Sequence, residues 1–131
     1  MSGKNNKIPF PWATIPCDDT NVVFSPVTAW MPCGDFDEAR VSFEIAGETN
    51  ADFRVKAVLQ FADYPDQGSK PQTVVSATEN GNGIKYPGQW YTISANSDAN
   101  QIMRLALEAN RNTGSGYCSA RISGVLELKQ T

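Results

Sequence analysis

Hydrophobic and polar residues alternate with a period of two along most of this chain. Val41, Phe43 and Ile45 take turns with Arg40, Ser42 and Glu44, the pattern of a strand with one buried face. Phe53, Val55, Ala57, Leu59 and Phe61 alternate with Arg54, Lys56, Val58 and Gln60. Met103, Leu105, Leu107 and Ala109 alternate with Arg104 and Glu108, and good helix formers here compete with the strand pattern without overturning it. Cys118, Ala120, Ile122, Leu126 and Leu128 share one parity, while Ser119, Arg121, Ser123, Glu127 and Lys129 take the other. Residues 73–78 and 89–94 are rich in β-branched and aromatic side chains and predict further strands. A strand over 22–30 is broken at Pro26.

Turn chemistry separates these segments, at 47–50, at 63–68 and at Glu79-Asn-Gly-Asn-Gly83. Seven or eight short strands spaced about 8–12 residues apart predict an all-β fold, an antiparallel β-sandwich. The last two strands read as a long hairpin, which favours a jelly-roll arrangement over an up-and-down barrel.

Residues 1–20 are different. Pro9, Pro11 and Pro16 forbid a helix and any central strand. Ile8, Phe10, Trp12 and Ile15 are nevertheless large and apolar. The expectation is an extended proline-rich arm over 1–20, a single sandwich domain over 21–131, and these four side chains binding a partner.

Composition narrows the function. The chain has 131 residues, 40% hydrophobic and 19% charged, with a net charge of −3. No basic stripe exists to neutralise a phosphate backbone, so nucleic-acid binding is not expected. No apolar run reaches the roughly 20 residues that span a bilayer, so no membrane role is expected. The stretch "MSGKNNKIPFPW" lacks the apolar core of a secretory signal. An odd count of cysteines (Cys17, Cys33, Cys118) without such a signal argues for free thiols, with a Cys17–Cys33 bridge as the oxidised alternative.

The chain has no histidine. That removes histidine-based nucleophile systems and zinc sites of the histidine type. The Gly114-Ser-Gly116 loop ends in neither a following helix nor a Gly-Lys-Ser/Thr motif, so it reads as a turn rather than a phosphate cradle. Asp35, Asp37 and Glu38 lack calcium-loop spacing, and nothing in the sequence couples Glu44, Asp63, Glu108 and Glu127 into a catalytic carboxylate pair. No enzyme activity, metal or cofactor is expected.

Aromatic side chains are the remaining candidates. Trp90 and Tyr91 are neighbours and face opposite sides of their strand, one toward the core and one outward. Trp90, Tyr91, Tyr64 and Arg111 are therefore candidate contacts for a ligand or partner. The stretch "IMRLALEANRNTGSGYCSARISGVLELK", about a fifth of the chain, resembles the jelly-roll sandwiches of bacteriophage virion proteins of the capsid decoration, cement or tail type. That resemblance implies a structural virion component, made in the host cytoplasm, binding a shell protein and copies of itself. The alternative is a carbohydrate-binding module that stacks a glycan on an exposed ring.

Overall fold

The computed structural model describes residues 5–17, 24–33, 36–46, 53–64, 70–78, 83–85, 90–93, 102–111 and 118–130. Ten strands occupy them: β1 (Asn5–Cys17), β2 (Phe24–Pro26), β3 (Met31–Pro32), β4 (Glu38–Ala46), β5 (Phe53–Ala62), β6 (Lys70–Thr78), β7 (Gly83–Lys85), β8 (Tyr91–Thr92), β9 (Ile102–Arg111) and β10 (Cys118–Lys129). One sheet runs β1-β10-β4-β7, with β8 also on β4; the second runs β2-β9-β5-β6, with β3 also on β9. Every pairing is antiparallel. The chain passes repeatedly from one sheet to the other, and its first and last strands lie side by side. That is the double Greek key of a jelly-roll sandwich.

The predicted parities point inward. Val41, Phe43 and Ile45 of the first sheet meet Val55, Leu59, Phe61, Met103, Leu105 and Leu107 of the second in one buried core. Residues 102–111 are strand, not helix.

The expected last hairpin does not form. β9 pairs with β2, β3 and β5, whereas β10 pairs with β1 and β4. Alternation reports that a strand buries one face. Two strands facing each other across a core therefore carry the same pattern as two strands side by side. The Gly114-Ser-Gly116 loop and most of the 79–83 turn lie outside the described residues. Over 22–30, β2 ends at Pro26 and no strand follows until Met31. The intervening residues are held to β9 by the Val27 N–H on the Leu105 carbonyl (2.9 Å) and by the Leu105 N–H on Thr28 Oγ1 (2.9 Å).

The N-terminal segment is extended, yet residues 5–17 are a strand of the sandwich rather than an arm. β1 pairs with β10 along its length, and Phe10 and Ile15 are buried in the core. A bulge makes this workable. Phe10 opposes Gly124 and Ala13 opposes Ile122, so Pro11 and Trp12 are one residue too many for β10. The extra residue reverses the parity. Ile8 and Phe10 face inward before it, Ala13 and Ile15 after it, and Trp12 is left outside. The same shift accommodates the prolines. Alternate residues of an edge strand turn their N–H to the free side, and proline is admitted only there. Pro9 opposes Val125 and Pro16 opposes Ser119, both odd-numbered positions of β10 on either side of the phase change.

The two sheets differ on their outer faces. In the second sheet Val58, Gln60, Ala62, Ala106 and Glu108 are buried although they face away from the main core. Glu108, expected on a solvent face, is only 7% exposed. Trp30 packs over this face with Arg104 4.3 Å above its ring, and Arg104 Nε donates to Gln60 Oε1 at 2.7 Å. Gln60 is thus buried with its carbonyl satisfied, as a buried amide must be.

Candidate functional site

The outer face of the first sheet carries most of the described charge-bearing and aromatic candidates. β10 runs through its middle, between β1 and β4. Arg40 stands opposite Glu127 and Glu38 opposite Lys129. Arg40 Nη2 lies 3.0 Å from Glu127 Oε2, and Lys129 Nζ lies 3.6 Å from Glu38 Oε1. Trp90 packs on this ladder, with the Arg40 guanidinium 4.5 Å and the Lys129 ammonium 4.8 Å from its ring centre. The cluster is electrically balanced and half-buried. Exposed ion pairs contribute about 0–1 kcal/mol each, so this ladder fixes register more than it stabilises.

A second group lies at the other end of β10. Trp12, lifted out by the bulge, is 43% exposed, and the Arg121 guanidinium sits 5.5 Å from its ring centre. Lys129 and Arg121 are eight positions apart on one strand, about 26 Å at about 3.3 Å per residue. The two tryptophans are therefore separate features.

The expected contact residues fall into different places. Of the four anchors expected in the arm, Phe10 and Ile15 are core of this chain and have no surface to offer a partner; Ile8 is partly buried against that core, and Trp12 is exposed. Tyr91 packs inward and Trp90 outward, as their adjacency requires. Tyr64, just past the end of β5, is 57% exposed and lies on the other sheet. Arg111 ends β9 opposite Phe53, and its side chain lies outside the described set. Among the described residues, Trp12 and Tyr64 are the exposed large hydrophobic side chains. Arg40, Lys129 and Arg121 escape a linear reading because cation–aromatic pairing depends on which strands are neighbours.

Among the described residues, the acidic side chains of β4 and β10 are paired or exposed. Glu38 and Glu127 are neutralised by the cations opposite them, and Glu44 is exposed. Among the described residues no three acidic or cysteine side chains come together as metal ligands. Asp35 lies outside them, and Asp37 holds the sheet end through its backbone, donating to the Lys129 carbonyl and accepting from the Ile93 N–H. Cys33 is a free thiol in the core, so it is not bridged to Cys17. Burial pushes its pKa up, because the thiolate would lose its hydration there.

No protein-family model matches this chain, and no curated protein does. Solved structures do. The chain superposes on the VP2 subviral particle of infectious bursal disease virus with a TM-score of 0.63 at 9% identity, over 98% of this chain and 33% of that one. The Gx strain of the same virus gives 0.59 at 11% identity, and T=1 particles derived from the virus give 0.58 at 11%. This chain spans about a third of the length of the solved chains it matches. At this identity the likeness shows the jelly-roll fold, and it does not single out bacteriophage proteins.

Proposed function

We propose that this chain is a structural component of a virion, working by protein–protein contact rather than by catalysis. The observation that carries this is the superposition of 98% of the chain, a complete double-sheet jelly roll, on virus particle structures. Fold likeness is a weak warrant for function by itself. Two features of the chain support the reading: Glu38 and Glu127 on the first sheet are tied up in ion pairs, and a tryptophan–arginine pair is held out on that sheet's outer face. Tryptophan and arginine are the side chains most enriched where interfaces concentrate their energy.

The finer reading is a decoration, cement or tail component that associates with copies of itself and with a shell protein through Trp12 and Arg121. Trp90 serves poorly as a glycan platform, because two cations already occupy its surroundings.

The test uses particles banded on a density gradient from producing cells. The wild-type chain is expected to co-band with the particle and to form oligomers in native mass spectrometry. A Trp12→Ser/Arg121→Ser double variant is expected to keep its unfolding temperature within a few degrees and to lose particle association. A wild-type chain that stays monomeric and absent from particles would overturn the proposal. A glycan array showing saturable binding abolished by Trp12→Ser would move the assignment to the carbohydrate reading.

A further inference from the structure

We infer that Cys17 and Cys118 are a disulfide-forming pair that can staple the first strand of the sandwich to the last. The inference rests on backbone register and is independent of the virion reading. β1 and β10 pair antiparallel down to their shared end, where the Cα partners are Cys17 and Cys118 themselves. The flanking pairs, Ile15 with Ala120 and Pro16 with Ser119, are in unbroken register, because the bulge lies further back between Phe10 and Ala13. Directly opposed residues of an antiparallel pair have Cα atoms about 4.5–5.5 Å apart. Disulfides need about 4.4–6.8 Å. The register thus places the two Cα positions within the range that a disulfide spans.

The third cysteine is excluded from this exchange. Cys33 is 3% exposed, free, and held protonated by its burial. A buried neutral thiol is a poor nucleophile. The odd count of cysteines then resolves into one pair and one core thiol.

The chemistry needs an oxidant, and a small-molecule disulfide such as oxidised glutathione serves. The thiolate of one cysteine attacks a sulfur of the oxidant, making a mixed disulfide and releasing one reduced glutathione. The thiolate of the other cysteine attacks the protein-side sulfur and releases the second. One S–S bond is broken and one is made; the two cysteine protons leave with the two glutathione thiols. A reducing cytosol keeps the pair open, and an oxidising medium closes it. Closure ties a loop of about 100 residues, which restricts the unfolded chain strongly.

The experiment treats the full chain with oxidised glutathione, blocks free thiols with iodoacetamide in denaturant, and maps peptides without reduction. The expected result is a Cys17–Cys118 cross-linked peptide, with Cys33 carrying the alkyl group. The oxidised chain is expected to unfold about 10 °C above its reduced form. Cys33→Ser should retain the cross-link and Cys118→Ser should lose it. The wild-type map alone decides the case if a variant fails to fold. Cross-links from Cys17 to Cys33, cross-links only between chains, or both Cys17 and Cys118 recovered as alkylated thiols would each overturn the proposal.

Discussion

Gly124 has no room for a side chain. A Cβ at this position would stand 2.7 Å from Phe10 Cζ, 2.9 Å from Phe43 Cα and closer still to the Ser42 carbonyl oxygen. Two of those three are backbone atoms of the paired strand β4 and cannot step aside. Gly124→Ala is therefore expected to destabilise the fold by about 1–3 kcal/mol, read as a lower urea midpoint with an unchanged slope. Along the chain Gly124 sits at a core parity, between Ile122 and Leu126, where a large residue is expected. The reason for glycine becomes visible only when Phe10 is found opposite, with its ring filling that place. Cys33 carries a pH prediction. Its folded pKa lies above the ordinary thiol value of 9.0 because burial penalises the thiolate. The folded state then holds the proton more tightly than the unfolded state. Stability is fully present below about pH 9 and falls as pH climbs from there toward the folded pKa. Urea midpoints between pH 8 and 10.5 should drop further for wild type than for Cys33→Ala. Parallel curves would show that Cys33 contributes no such dependence.

At the scale of the element, β1 reverses what its prolines imply. Proline spacing predicts a segment that is extended and not central, and both properties hold. It does not predict that the segment belongs to the sandwich. β1 supplies Phe10 and Ile15 to the core and covers one edge of β10. Removing residues 1–17 deletes both side chains and exposes that edge. Losing a buried phenylalanine side chain costs about 3–5 kcal/mol and a buried isoleucine about 2–5. A domain of ordinary stability has about 5–15 kcal/mol in all. The truncated chain is expected to be unfolded or insoluble, with loss of the β-sheet circular dichroism signal. A soluble, cooperatively unfolding truncation would show that β1 is dispensable. The prolines on the free side of β1 also deny a ladder to any further strand, which is how sheet proteins keep exposed edges from pairing.

For the whole molecule, the pairing of β1 with β10 joins the two ends of the described chain. Strands adjacent in sequence repeatedly belong to different sheets. Contacts of such long sequence separation must close large loops before they contribute any stability. Refolding from urea, followed by tryptophan fluorescence in a stopped-flow instrument, is expected in milliseconds to seconds. A microsecond phase carrying the full amplitude would contradict this topology as the rate-setting feature. The asymmetry between the outer faces also belongs to this scale. The second sheet hides Val58, Gln60, Ala62 and Glu108, while the first presents its ion-pair ladder and Trp12.

The residues alone determine that this chain is all-β, which side chains of β4, β5, β9 and β10 face the core, and that the sequence holds no histidine. Those properties are local: a period of two records one buried face, and composition needs no neighbour. Only the tertiary structure decided that β9 and β10 lie in opposite sheets, that a bulge at Pro11 and Trp12 turns Ile15 inward and Trp12 outward, and that Cys17 stands opposite Cys118 in register. Each depends on which strand lies beside which. That choice is made by packing between residues far apart in the chain, and a one-dimensional pattern does not carry it.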